Sequence, residues 1–294
     1  MTVDNSSSLK KIIRFADQQP KPLLIGIAIL VPFLIVASVP SLIAPHSPLA
    51  IMDIPFLPPS KTHLLGTDEI GRDLMSRVIY AARADIFVSL SAALIAFIVG
   101  TIFGLFSGYV GGRIDTLIMR FVDVFLSFPT IILALFLVAV FGRSEWVQIC
   151  AIALVMAPSM ARFSRGTGLV LRKRGYVEAS QISGASTVHI VRRHILPNSM
   201  STLLVAASVL SASAILIASS LSYLGLGAQP PDPSWGNMLR VSFSFVYQAP
   251  WYGVGPGICV TLVASAYVLI GEGLRRKFGR QRNIMSSTKS LASL

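Results

Sequence analysis

The chain has 294 residues, of which 53% are hydrophobic and 13% charged, against about 25% charged in an ordinary soluble domain. Together with a mean hydropathy of +0.71, this excludes a soluble enzyme, a disordered chain and a coiled coil, and suits about six membrane spans of about 20 residues each. The net charge of +12 is tested as a topology signal before it is read as affinity for nucleic acid.

In chain order, residues 1–22 are polar and basic and read as a cytoplasmic tail. Leu23–Ala44 is the first apolar run. It is too long for a cleaved signal peptide, and Pro45-His46-Ser47-Pro48 stands where a small-residue cleavage site would be. Pro32 and Pro40 predict a kink within it. Residues 45–85 form an extracytoplasmic segment. Residues 86–274 form the core and carry five further spans: Ile86–Phe106, Val122–Phe141, Val147–Ala161 (extending to Phe163), Ser201–Leu221 and Val254–Ile270. Residues 275–294 are a basic tail. Cys150 and Cys259 fall inside apolar runs and read as small membrane-buried side chains.

The basic residues fix a direction. With the amino terminus inside, 19 Lys and Arg lie in inside segments and 6 in outside segments. The positive-inside rule therefore places both termini in the cytoplasm. It also accounts for the positive balance, so no nucleic-acid partner is expected.

Two rows of small residues stand out. Gly100, Gly104, Gly108 and Gly112 recur every four residues along the second span. They make a flat face for helix packing, within this chain or against a partner. Ser201, Ser208, Ser211, Ser219 and Ser222 fall within an arc of about 80° of the fifth span. They read either as interhelical hydrogen-bonding groups or as a hydroxyl-lined wall of the translocation path.

The membrane interior is otherwise poor in chemistry. No carboxylate pair or histidine cluster falls within a span, and Asp123 and Glu272 lie near span ends. That weakens an ion-coupled transporter. No HExxH pattern occurs, and no Gly-Lys dipeptide, so a phosphate-binding loop is absent. The chain is expected not to be an enzyme, with no catalytic residue, no metal ligand and no cofactor of its own.

The most informative stretch is Arg162–Asn198, long for a passive connector. It reads as two short helices. Tyr176–Ser183 is the first, ended by a turn at Gly184. Ser186 or Thr187 caps the second, in which Val188, Val191 and Ile195 recur on one face and which Pro197 stops. Glu178, Ala179, Ser180, Gly184 and Ala185 form a patch of small residues with one acid, suited to docking in a cleft of a partner protein.

Residues 176–186 (Tyr-Val-Glu-Ala-Ser-Gln-Ile-Ser-Gly-Ala-Ser) and 193–198 (Arg-His-Ile-Leu-Pro-Asn) resemble the E-A-A-x-x-x-G-A…H-I-L-P-N loop of ABC importer permeases. More closely, the chain resembles the C-type subunit of the dipeptide, oligopeptide and nickel permeases. The supporting stretches are Gly66–Asp73, Tyr109–Asp115, Leu221–Pro231 and Pro233–Asn237. The resemblance implies an all-α type I importer permease fold with six transmembrane helices. It implies a second related permease, two ABC ATPase subunits that carry ATP and Mg, and an extracytoplasmic solute-binding protein. It assigns ATPase coupling to Tyr176, Glu178, Ala179, Ser180, Gly184, Ala185, His194, Pro197 and Asn198. The expected cargo is a di- or oligopeptide, with nickel chelates, glutathione and opine-like solutes as alternatives. A secondary transporter or channel without an ATPase is the competing function.

Two residues depart from the family pattern. Ser180 replaces the second Ala of E-A-A, and Asp85 stands where Ser is usual, read here as an N-cap of the second span. The tail Arg275–Arg282 is more basic than usual and suits anionic membrane lipid.

Overall fold

The computed structural model describes residues 20–291, with side chains to residue 279. All its regular elements are helices, and among the described residues β pairing is confined to two isolated bridges, Ile51 with Arg72 and Thr67 with Asp73. In order the helices are α1 (Lys21–Ser38), α2 (Pro40–Ile43), α3 (Leu74–Val110), α4 (Gly112–Leu126), α5 (Thr130–Phe141), α6 (Glu145–Arg172), α7 (Gly175–Ile182), α8 (Thr187–Ile190), α9 (Leu196–Tyr223), α10 (Trp235–Ser244) and α11 (Val254–Leu291). Five segments are long and apolar enough to cross a bilayer, and α4 with α5 make a sixth if that bent pair is one span. The expected tail 1–22 lies outside the described residues except at its end.

The spans are longer than hydropathy suggested. α3 starts at Leu74 rather than Ile86 because Asp73 caps it, its carboxylate accepting the Ser76 N–H at 2.8 Å. Polar residues on the added turns are satisfied by the segment before them. Asp68 accepts from Arg72 Nε at 2.6 Å and lies 3.2 Å from Arg77 Nε. Arg77 Nη1 also donates to the Pro48 carbonyl at 3.1 Å. α6 runs from a Ser144 cap to Arg172, well past Phe163. α1 continues through Pro32 and breaks at Val39, before Pro40.

The third span needs correction. Val122–Phe141 is not one helix: α4 and α5 meet at 84°, separated by Ser127-Phe128-Pro129. Pro129 lacks an N–H and disfavours helical backbone at Phe128. Hydropathy averaged over the run does not register that break. α4 is instead an amphipathic helix joined to α3 by Gly111 and Gly112, whose φ values are +69° and +60°.

Asp85 also differs from expectation. It is buried inside α3, beyond its first turns and not at its start, and accepts the Trp235 N–H at 2.7 Å. It therefore satisfies the first turn of α10, a helix 150 residues away in sequence. Trp235 in turn donates its indole N–H to the Val78 carbonyl at 3.0 Å.

Two apolar clusters hold the bundle together. One joins α3, α5, α6 and α9 with Val177, Ile190 and Ile195 at one end. The other joins the start of α3 with α9, α10, α11 and Tyr252. Residues 45–73 and 225–253 form a packed layer over the second cluster. Tyr252 donates to Glu69 at 2.6 Å, and the Phe56 and Phe245 rings lie 4.7 Å apart. Burial and the Glu69 carboxylate push the Tyr252 phenol well up, so it stays a neutral donor.

Gly100, Gly104 and Gly108 settle their own role. A Cβ on Gly104 would lie 2.2 Å from the Ala161 carbonyl oxygen, and one on Gly108 would lie 2.4 Å from that of Arg165. The row is the seam between α3 and α6 within this chain. Gly112 lies off it, with open space around its Cβ position, and serves the turn into α4 instead. Cys150 faces outward rather than into the bundle, while Cys259 is half-buried.

Candidate functional site

The stretch singled out by its small residues lies at one end of the bundle, between the end of α6 and the start of α9. α6 takes up residues to Arg172, so the connector is shorter than the sequence suggested and contains α7 and α8. α7 ends where a left-handed glycine was expected. Gly184 has φ +77°, the Ala185 N–H reaches the Ser180 carbonyl at 3.1 Å, and the Gly184 N–H reaches that of Gln181 at 3.0 Å. These two bonds satisfy the last carbonyls of α7, and only glycine takes that φ without steric cost. Ser186 then caps α8, accepting the His189 N–H at 3.3 Å.

Pro197 does not stop the second helix. α8 runs through a π turn, Val191–Ile195, into α9, and Pro197 sits within the first two residues of α9. The wider turn precedes the residue that has no N–H to offer. It also shifts the helical period, so the expected face is kept in part: Ile195 is fully buried and Val191 packs against the core, but Val188 does not. Val188 is 68% exposed, and Ile190 takes its place in the core beside Ile195.

The element is fixed to the spans from beneath. Val177 is fully buried in the cluster that contains Tyr109 at the end of α3. Gln181 donates to the Tyr109 hydroxyl at 3.0 Å. Ser180, the departure from the family pattern, gains a partner that Ala would lack: its hydroxyl lies 3.1 Å from His194 Nε2 and also donates to the Tyr176 carbonyl at 2.9 Å. The Tyr176 and His194 rings lie 6.2 Å apart, and Asn198 donates to the His194 carbonyl at 2.6 Å. The outer surface carries Glu178, Ala179 and Ile182, the last 88% exposed. Glu178 has no ion pair or side-chain hydrogen bond among the described residues. The outer tip of α7 thus sets one exposed apolar side chain near an unpaired carboxylate. Ile182 was not singled out from the sequence, since a lone Ile in a short helix carries no directional signal.

A second feature braces this end. Asp115 on α4 accepts from Arg165 Nε and Nη2 on α6, both at 2.7 Å, and from the Ser107 hydroxyl on α3. This forked pair ties three helices, and sequence reasoning counted Arg165 only as a topology charge. Asp123 pairs with Arg162 at the surface.

The serine row of α9 divides. Ser208 lies under Gly271 of α11, and Ser222 lies under Gly227 and Gly236. Ser219 is buried, with its hydroxyl oxygen unpartnered, and its carbonyl lies against Gly236. Ser201 and Ser211 are only half-buried. Ser208 and Ser211 return their hydroxyls to the carbonyls of Leu204 and Ala207.

With this geometry in view, the comparisons are specific. The model of the family "Binding-protein-dependent transport system inner membrane component" matches residues 100–282. The chain is 42% identical over 234 residues to the probable D,D-dipeptide transport system permease protein DdpC of Escherichia coli K12, covering 79% of this chain and 78% of that one. It is 40% identical over 217 residues to the glutathione transport system permease protein GsiD of Pectobacterium atrosepticum (74% and 72%). It is 36% identical over 252 residues to the dipeptide transport system permease protein DppC of Bacillus subtilis (85% and 79%). Among solved structures, a chain of the inward-facing MetNI methionine ABC transporter superposes with a TM-score of 0.58 at 19% identity, over 69% of this chain and 97% of that one, and so shares its fold.

Proposed function

The chain belongs to the family of binding-protein-dependent transport system inner membrane components, a multi-pass protein of the bacterial inner membrane, and on that premise we propose that it is one permease half of an ATP-driven importer of short peptides. A second, related permease supplies the other half of the path. Two ABC ATPase subunits bind ATP and Mg and dock on the α7–α8 surface. A solute-binding protein delivers cargo to the layer formed by residues 45–73 and 225–253. The peptide class is supported by the names of the relatives, which carry dipeptides, D,D-dipeptides and glutathione.

The observation that carries the coupling role is the two-sided build of α7. Its outer side presents Glu178 and Ile182, while Val177 and Gln181 lock its inner side to Tyr109 of a long span. A partner that moves α7 therefore moves the end of α3 with it. The chain needs no catalytic group in this scheme; it converts a displacement at one end into a change of packing between spans. Glu178→Ala tests the docking face. Co-purification of the ATPase subunits should fall, while the amount of permease in the membrane stays unchanged. Undiminished co-purification with both Glu178→Ala and Ile182→Ala would place the ATPase contact elsewhere and sink the reading.

A further inference from the structure

A cavity of about 660 Å³ opens at the end of the bundle opposite α7, a volume in the range of small-molecule sites. Its walls are the second to fourth turns of α3, the start of α6, the end of α9 and the loop 228–233. That loop is held: Arg77 Nη1 reaches the Pro231 carbonyl at 3.5 Å, Gln229 donates to the Gly227 carbonyl at 2.7 Å, and Pro233 is buried.

The charges in this cavity are arranged by depth. Its buried floor includes Asp85 and Gln148, each 4% exposed, and Ser222, 2% exposed. The Asp85 carboxylate takes one bond from the Trp235 N–H, through Oδ2 alone. The rim carries Arg83, Arg143, Glu145 and Asp232, all exposed. None of these four makes an ion pair with any described residue, although both signs line one cavity. Opposite charges held apart around a space suit a ligand that carries both signs. The position of Asp85 adds direction: a single buried carboxylate in the floor favours a cation at depth, and the two rim guanidiniums favour an anion at the mouth.

We propose that this cavity binds a small zwitterion, an amino acid or short peptide, with its ammonium group toward Asp85 and its carboxylate toward Arg83 and Arg143. This inference rests on the short-peptide reading above; the site is separate from the proposed ATPase-facing surface and its test requires no nucleotide, so its failure and that of the coupling reading are distinguishable.

The test uses the full chain in lipid nanodiscs without ATPase or binding protein, with dialanine, N-acetyl-dialanine and dialanine amide as probes in equilibrium dialysis. Dialanine should bind saturably, and each blocked analogue about ten- to hundredfold more weakly, the worth of a charged hydrogen bond. Asp85→Asn keeps an oxygen for the Trp235 N–H and should erase the preference for the free amine alone. Arg143→Gln lies on the exposed rim and should reduce the preference for the free carboxylate alone. Absence of saturable dialanine binding to the wild-type chain would overturn the proposal. So would discrimination between the probes that either variant leaves unchanged.

Discussion

Gly184 is where a single residue decides most. Its φ of +77° is required by the bonds that close α7, and among the described residues no atom beyond its chain neighbours lies within 4 Å of a Cβ placed there. Substitution therefore acts through backbone strain of about 1–2 kcal/mol and through added bulk on the proposed docking face. Gly184→Val should lower peptide uptake about tenfold per inserted permease while membrane insertion continues. Uptake normalised to permease abundance reads this, and a wild-type rate would remove the α7–α8 turn from the coupling path. Asp115 acts differently, inside the molecule. Asp115→Asn leaves the Arg165 guanidinium without its forked partner at a half-buried site, costing about 2 kcal/mol. The detergent-solubilised chain should then unfold at a lower temperature in a thermal melt. Gly184 was legible in the sequence, because a glycine between two short periodic segments announces a turn. The Asp115–Arg165 pair was not, because its partners lie 50 residues apart.

At the scale of elements, the α3–α6 seam is the rigid part and the α4–α5 elbow the part that hydropathy misread. Gly104→Val would drive a side chain into the Ala161 carbonyl, where no flexible side chain stands to yield. Overpacking of that kind costs about 1–3 kcal/mol, so abundance of the variant in the membrane should drop. Gly112→Ala meets open space, with only the strain of φ +60° to bear, and should lower abundance less. Equal losses on a quantitative immunoblot would mean that the seam does not limit assembly. The glycine period was readable from sequence, but its partner helix was not: spacing identifies a flat face and leaves its occupant open. The elbow shows the reverse. Pro129 was in plain view, yet an average over apolar side chains has no term for a missing N–H.

Across the whole molecule, the two ends of the bundle differ in kind. One end carries the short α7–α8 element and the Asp115–Arg165 brace. The other carries the packed layer around Asp68, Asp73 and Trp235 and the mixed-charge cavity. The 19-to-6 distribution of Lys and Arg predicts that the first end faces the cytoplasm. A cysteine placed at Ser183, in a background lacking Cys150 and Cys259, should react with an impermeant maleimide only after the cells are opened. Labelling in intact cells would reverse the topology and, with it, the assignment of both ends.

The sequence by itself determined the class of this protein, the number of apolar segments and the place of the α7–α8 turn. Those properties are local: hydropathy, charge count and the backbone demands of Gly and Pro act within a turn or two of the residue that carries them. Family membership was legible as well, from short stretches such as Gly66–Asp73 and Arg193–Asn198 kept in order. Tertiary structure alone decided the rest. Asp85 was read as a cap for its own helix and instead serves Trp235; Val188 was read on one face with Val191 and Ile195, yet is exposed while Ile190 is buried; Pro197 was read as a stop and sits in the first turn of α9. In each case a polar or apolar group is satisfied by a partner far away in the chain or by a change of helical period. Such partners are set by how helices cross, which no run of residues encodes on its own.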